Sequence, residues 1–254
     1  MTGLSAFRLD NTVALVTGAG RGLGASISAA LADAGATVIV TGRSEAALGR
    51  VCQAIAAVGG SARAEQMDVT DEPGVAACFQ RVADLHGGID VLVNNAAIVH
   101  EAAAVDVAAS DFARVISTNL TGSFVCARSF ARLAARRADR VIVNVASLIS
   151  GRGIRNEVAY GASKAGVVSM TQTLALEFAG RGIRVNALAP GYFATEMPAE
   201  VVGDPARLDR LLRRIPLRRI GSPAEIGPPA VFLASPASAY MTGATLYFDG
   251  GYTA

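Results

Sequence analysis

The sequence predicts an α/β protein: one doubly wound, seven-stranded, mostly parallel sheet with helices on both faces. Three observations carry this expectation. Short β-branched runs alternate with longer stretches of helical period along all 254 residues. The strand candidates are continuously apolar rather than alternating, as befits strands buried on both faces of a parallel sheet. Glycines stand where the intervening helices must stop, at Asp33-Ala34-Gly35, Val58-Gly59-Gly60 and His86-Gly87-Gly88, because a left-handed residue ends a helix cheaply.

In chain order, strands are expected at 13–17, 37–41, 62–67, 90–94, 140–145, 183–188 and 244–248. Right-handed crossovers then force helices onto both faces of the sheet. In such sheets ligands bind at the carboxyl ends of strands, near the point where strand order reverses. Chemistry is therefore expected after Thr17, Asn94, Val145 and Leu188. Residues 194–215 depart from the pattern, with Pro198, Pro205 and four arginines but no matching strand. This reads as an inserted, substrate-covering segment near 192–216 of a single domain spanning 1–254.

Composition narrows the function. Hydrophobic residues make up 52% and charged residues 17%, and the formal charge is only +2. Without a run of one sign, nucleic acid and membrane surfaces have no electrostatic support as partners. Cys52, Cys78 and Cys126 and the histidines His86 and His100 show no metal-ligand spacing, and the cysteines are expected as buried helical thiols of a reduced, cytoplasmic protein. His100 reads as a partly exposed loop residue. No secretory signal is read ahead of the first strand, and no run of roughly 18 apolar residues suggests a membrane span.

After the first strand comes Thr17-Gly18-Ala19-Gly20-Arg21-Gly22-Leu23-Gly24, followed by an alanine-rich helix. Glycines there let the backbone approach a pyrophosphate, which the helix N-terminus then faces. The G-x-G-x-x-G/A pattern fits only at Gly20, Gly22 and Ala25, and the strand-before, helix-after context is what gives it weight. An NAD site places a carboxylate at the second strand tip. Here the tip reads Thr41-Gly42-Arg43-Ser44, with no carboxylate until Glu45. Arg43 with Arg21 suits a 2′-phosphate, so NADP(H) is expected over NAD(H), although Arg43 also fits an ordinary helix-start surface position.

Tyr160-Gly161-Ala162-Ser163-Lys164 opens a helical segment, placing Tyr160 and Lys164 on one face one turn apart. A free phenol titrates near ~10; an ammonium one turn away favours the phenolate and brings it toward working pH. Ser147 closes the fifth strand, where its hydroxyl can hold a substrate oxygen while Tyr160 moves the proton.

With these residues in view, the chain resembles the short-chain dehydrogenase/reductase family, in its short, single-domain, Rossmann-type branch. The resemblance runs from Thr17 to Gly251 and rests on four separated motifs. Thr17, Gly18, Gly22 and Gly24 match the cofactor loop, which also holds Leu23. Tyr160 and Lys164 match Y-x-x-x-K, with Ser147 thirteen residues upstream, and Asn119 matches the asparagine that helps hold a lysine-linked relay water. Asp68 and Val69 match the adenine contact. Pro190, Gly191, Phe193 and Thr195 match the nicotinamide-side loop. The family's N-N-A-G reads Asn94-Asn95-Ala96-Ala97, with cofactor contacts implied at Asn95 and Ala96 and an extra methyl at Ala97.

The resemblance implies hydride transfer between nicotinamide C4 and a carbonyl or secondary alcohol carbon of a small molecule. Lys164 would contact the nicotinamide ribose and lower the tyrosine pKa, Ser147 orient the substrate oxygen and Tyr160 exchange the proton. Pocket walls are expected from 98–101, 148–156 and Tyr192 onward, where Arg152, Arg155, Arg213 and Arg214 offer anion contacts, each one singly fitting solvated surface better. The pattern is similar to both the gluconate 5-dehydrogenase-like and 3-oxoacyl-carrier-protein reductase branches. An NAD-dependent alcohol or polyol dehydrogenase and a non-catalytic dinucleotide-binding relative stand as alternatives; the second is disfavoured because Asn119, Ser147, Tyr160 and Lys164 are all present. A homo-oligomer, tetramer or dimer, is implied, with helix faces in 112–135 and 167–178 as its interface.

Overall fold

The computed structural model describes residues 3–133, 139–194 and 205–254, with backbone only for Pro205 and Arg207. Seven strands form one sheet: β1 (Val13–Val16), β2 (Thr37–Gly42), β3 (Ser61–Gln66), β4 (Val91–Asn94), β5 (Arg140–Val145), β6 (Ile183–Pro190) and β7 (Thr245–Phe248). Their order is β3-β2-β1-β4-β5-β6-β7, and every pairing is parallel. Strand order reverses between β1 and β4, so a crevice opens between their carboxyl ends.

The helices are α1 (Gly22–Asp33), α2 (Glu45–Ala57), α3 (Glu72–His86), α4 (Ala109–Ile116), α5 (Gly122–Arg132), α6 (Val158–Phe178), α7 (Pro205–Arg214) and α8 (Gly227–Ala234). Alternate residues of each central strand serve opposite faces. Ala14, Val16, Val38 and Val40 join Ile27 and Leu31 of α1, Leu48 and Ile55 of α2 and Leu233 of α8 in one core. Val13, Leu15, Ile39 and Leu92 join Val75 and Phe79 of α3, Phe130 of α5 and Leu174 of α6 in the other. Covering both faces is why these strands are apolar throughout.

Two expectations of complete burial need correction. β3 and β7 lie at the sheet edges: β3 alternates between exposed and half-buried residues, and Tyr247 and Phe248 of β7 are partly exposed. An edge strand has one neighbour and one well-covered face, so polar residues are tolerated. Cys78 and Cys126 are buried, but Cys52 on α2 is only partly so. Strand ends shift by a residue for local reasons. Asp90 is excluded from β4 because its Oδ2 accepts from Val13 N at 2.8 Å.

Helix ends follow local chemistry. Ser44 and Asp71 cap α2 and α3 by accepting from Ala47 N and Gly74 N, and Gly87 ends α3 at φ 74°. At the amino-terminal edge of the sheet, fully buried Arg140 donates to the carbonyls of Ile89, Leu133 and Phe130, with its guanidinium carbon 4.0 Å from the Phe130 ring centroid. Burial lowers its pKa while Asp90 opposes that. Among the described residues no helix is long and apolar enough to cross a membrane, and no cluster of three or more His, Cys, Asp or Glu side chains could hold a metal ion.

Replacing Arg140 by Ala strands three buried carbonyls and opens a void. Urea denaturation should show an unfolding free energy lower by about 3 kcal/mol, with the m-value unchanged; a loss under half that would mean these contacts contribute little.

Candidate active site

The carboxyl ends of β1 and β4 are tied together before any ligand is considered. Thr17 Oγ1 accepts from the backbone amides of Asn95 and Ala96, both at 3.0 Å. In return Asn95 Nδ2 donates to the carbonyls of Thr17 and Gly18, at 3.0 and 3.1 Å. This exchange draws the glycine loop so close that side chains are excluded. A Cβ at Gly18 would lie 2.7 Å from Ala96 Cα, and one at Gly24 would lie 2.4 Å from Asn95 Nδ2. Gly18 and Gly22 also take left-handed conformations, at φ 63° and 56°.

α1 begins at Gly22 with no side-chain cap and no acidic residue in its first turn, and its preceding residue, Arg21, is extended. Its first amides are thus available to an anion, as a dinucleotide pyrophosphate requires. Leu23 turns inward and packs on the core beneath. Residues 17–24 therefore fit the phosphate end of such a cofactor. Ala97, the departure from the family pattern, is exposed.

Beside this loop, Gly20 lies against Ala47 of α2, so the loop carrying Arg21 and the strand tip carrying Arg43 adjoin. Both arginines are exposed. The Arg43 carbonyl accepts from Gln66 Nε2 at 2.9 Å, which fixes the backbone of the tip. Asp68 follows β3 and accepts from Thr70 N and Thr70 Oγ1; these bonds, then the charge of Arg43, hold its carboxyl below the usual range. Val69 is buried against Gly122 of α5.

Ser147 follows β5 in extended conformation and starts a 3-10 turn, Leu148–Gly151, in which its backbone amide donates to Ser150 Oγ at 3.1 Å. α6 is pinned to the same strand by Lys164, whose Nζ donates to Val145 O at 2.6 Å. That bond ties to β5 the helix whose preceding turn carries Tyr160, and Ser147 acts to lower the pKa of that phenol. Asn119 sits fully buried in a π-helical turn, Ser117–Thr121, between α4 and α5. Its Oδ1 accepts from Ile98 N, and its Nδ2 donates to Ile98 O and Ser163 Oγ, at 2.8, 2.9 and 3.0 Å. Ser163 Oγ donates in turn to Tyr160 O at 2.7 Å. The asparagine side chain thus braces α6 against the loop after β4.

The expectation that Lys164 lowers the tyrosine pKa is not met in this arrangement. Burial pushes Tyr160 up to about 12, opposed by Ser147 and reinforced by the charge of Glu157. Burial likewise pushes Lys164 down to about 8. The ammonium lies 5.7 Å from the ring centroid, and burial is the first cause of both shifts.

On the substrate side, Tyr160 packs with Ile149, Ile154, Tyr192, Leu211, Leu212 and Tyr252. Tyr252, two residues before Ala254, was not foreseen; its ring meets Tyr192 edge-on at 5.6 Å. No local pattern marks it, since only the fold returns the chain end to this wall. It also engages two of the four arginines weighed above as anion contacts. Arg152 donates to Tyr252 O at 3.0 Å, Arg214 stacks over its ring at 5.0 Å, and Arg213 pairs with Asp209 on exposed surface. Pro190 ends β6, and Gly191 packs against Asp249, where a Cβ would lie 2.5 Å from the Cα. Phe193 is buried on Phe248 at 6.2 Å. Thr195 lies outside the described residues, as does most of the inserted segment before α7. His100 is half-buried, 3.9 Å from Asp111.

A cavity of about 620 Å³ opens between residues 149–158 and α6. Its wall includes Gly161, Ala162 and Ala165, on the side of α6 turned from Tyr160 and Lys164, and Glu157, the residue before α6.

Comparison with known proteins agrees with this geometry. The family model described as enoyl-(acyl carrier protein) reductase matches residues 18–253. The chain is 42% identical over 251 residues to a galactitol 2-dehydrogenase (L-tagatose-forming) of Cereibacter sphaeroides, covering 97% of each. It is 40% identical over 245 residues to a 3-oxoacyl-[acyl-carrier-protein] reductase of Synechocystis, covering 96% of this chain and 97% of the relative. A solved gluconate 5-dehydrogenase from Burkholderia cenocepacia, in complex with NADP and tartrate, superposes with a TM-score of 0.94 at 36% identity over 98% of both chains.

The lowered Lys164 pKa has a sign that can be checked. A native pKa of about 8 against an ordinary 10.5 means the unfolded chain binds more protons between those values, so this residue makes stability rise with pH there. Denaturation of the wild type and Lys164→Met at pH 7.5 and 9 should show wild-type stability gaining on the variant at the higher pH. An equal difference at both would mean the amine is not desolvated.

Proposed function

The chain belongs to the short-chain dehydrogenase/reductase family, an oxidoreductase family, and on that premise we propose that it is an NADP(H)-dependent enzyme acting on a small carbonyl or secondary alcohol, with Tyr160 as general acid/base. The observation that carries this reading is the Lys164 Nζ–Val145 O bond at 2.6 Å, which ties the helix turn carrying Tyr160 to the carboxyl end of β5, two residues before Ser147.

The cofactor, when bound, supplies or takes the hydride; the chain's own residues do the rest. Ser147 holds the substrate oxygen and the phenol together. With its pKa pushed up, Tyr160 keeps its proton at neutral pH and gives it to the oxygen as a carbonyl is reduced; in oxidation it takes the proton back. Lys164 is the cation that stabilises the phenolate as the proton leaves, and it offers donors to a ribose hydroxyl. Asn119 keeps α6 in register with the loop after β4. Residues 17–24 with Asn95 and Ala96 cradle the phosphates, Asp68 and Val69 flank the adenine, and Pro190, Gly191, Phe193 and Thr195 border the nicotinamide.

Arg43 and Arg21, in place of a strand-tip carboxylate, support NADP(H) over NAD(H), as does the NADP of the gluconate 5-dehydrogenase complex. We take 1–254 as one domain whose 192–216 segment covers the substrate. Assembly as a homo-oligomer is supported by Phe112, Phe124 and Leu176, which leave apolar surface exposed on α4, α5 and α6.

Tyr160→Phe should lower turnover by about 10²–10⁴-fold while NADPH affinity, read by fluorescence titration, stays near wild type. A variant that kept its rate would remove Tyr160 from the proton step.

Arg43→Asp should shift the NADPH/NADH affinity ratio toward NADH by about tenfold, equivalent to ~1.4 kcal/mol. An unchanged ratio in paired titrations would discard the phosphate-clamp reading.

A further inference from the structure

Beyond β7 the chain folds into a closed turn over residues 249–253 that meets three walls of the site. Asp249 closes it: Oδ1 accepts from Gly251 N at 2.9 Å, and Oδ2 accepts from Thr253 N at 3.0 Å and Thr253 Oγ1 at 2.6 Å. Such local side-chain bonds fix a turn without help from helix or sheet. One side of the turn is pressed on the nicotinamide-side loop, where Gly191 N donates to Phe248 O at 3.0 Å and a Cβ on Gly191 would strike Asp249. Another side is pressed on the chain that leaves α7. Leu217 N donates to Gly250 O at 3.1 Å, and a Cβ on Gly250 would lie 2.8 Å from Ile215 Cγ2. The third contact is with the turn after β5, since Arg152 donates to Tyr252 O at 3.0 Å.

Tyr252 is the side chain that this turn delivers to the site. It is 3% exposed and shares a small core with Ile149, from the turn after β5, and Ile215, from the end of α7. Tyr160 and Tyr192 pack against that core. The Tyr252 ring meets Tyr192 edge-on at 5.6 Å and has the Arg214 guanidinium carbon 5.0 Å from its centroid. Edge-on ring pairs and a cation over a ring both have preferred geometries, so this ring orients its neighbours as well as filling space. Tyr192 directly follows Gly191. Its position is therefore set from one side by the nicotinamide-side backbone and from the other by Tyr252.

Resting on the hydride-transfer reading, we propose that Tyr252 is a positioning residue for the substrate: its ring holds Tyr192 and the end of α7 in place along the wall where Tyr160 packs, and so sets substrate affinity independently of cofactor affinity.

The test removes the ring alone. Tyr252→Ala keeps the Asp249 turn and the carbonyl that Arg152 grips, whereas Tyr252→Phe keeps the ring as well. Reduction of L-tagatose, 5-ketogluconate and acetoacetyl-coenzyme A with NADPH is followed for wild type and both variants, beside NADPH affinity and amide hydrogen exchange. With each probe that the wild type reduces, Tyr252→Ala should raise KM at least roughly tenfold while kcat changes less than about threefold. Its NADPH affinity should stay near wild type, which also reports that it is folded, and Tyr252→Phe should restore KM to within about twofold. Exchange over 208–217 should quicken in Tyr252→Ala and stay unchanged over 13–42. An unchanged KM, a loss of kcat and NADPH affinity together with it, a Tyr252→Phe variant as impaired as Tyr252→Ala, or unchanged exchange over 208–217 overturns the proposal. A wild type that reduces none of the three probes counts against the hydride-transfer reading instead, and the exchange measurement then decides whether Tyr252 holds this wall.

Discussion

Thr17 and Asn95 exchange hydrogen bonds across the point where strand order reverses, and the rest of the site is arranged around that exchange. Because the Asn95 carboxamide reaches the Thr17 and Gly18 carbonyls, the loop after β1 has no room for a Cβ at position 18 or 24. The crowding makes glycine obligatory, and glycine bares the backbone amides at the start of α1. A second tie, Ala19 N to Thr41 O at 2.9 Å, brings the β2 tip with Arg43 to the same loop. The Thr17–Asn95 pair thus places the glycine loop, and the Ala19–Thr41 backbone bond sets the Arg43 tip beside it.

The sheet beneath is kept in register by polar groups where apolar packing alone would leave strands free to slide. Asn94 donates to Asn144 Oδ1 at 2.9 Å, and Asn144 donates to Thr171 Oγ1 at 2.9 Å, linking β4, β5 and α6 through the core. Such bonds add little net stability but specify one arrangement, since a slipped register would bury unpaired amides. At the other edge Arg140 gathers three carbonyls, and Arg184 bonds Asp139 and Ser238. The two strands that carry Ser147 and the nicotinamide-side loop are therefore anchored at both ends.

Within that frame burial governs the ionisable groups. Tyr160 and Lys164 are both pushed toward their neutral forms, by enclosure rather than by each other. In the proposed reaction, a phenol that holds its proton would serve reduction directly, and the amine would respond to charge developing beside it. Glu157 is likewise raised by burial and then by Glu101.

Much of this was legible in the residues alone. Hydrophobic runs located the inner strands, because strands covered on both faces have no polar side to show. The glycine loop and the Tyr160–Lys164 spacing were readable because both are local: one turn of helix, or one loop, brings their atoms together. What depended on distant segments was not readable. The edge positions of β3 and β7 follow from sheet order, which no single strand encodes. The engagement of Arg152 and Arg214 by Tyr252 joins residues about 100 and 40 positions apart. The direction of the Tyr160 shift depended on how deeply the fold encloses that phenol, and spacing along a helix carries no measure of enclosure. By itself the sequence determined the elements, the loop and the reactive pair; only the tertiary structure decided which arginines remain available and how burial sets the protons, because desolvation is a property of the packed chain.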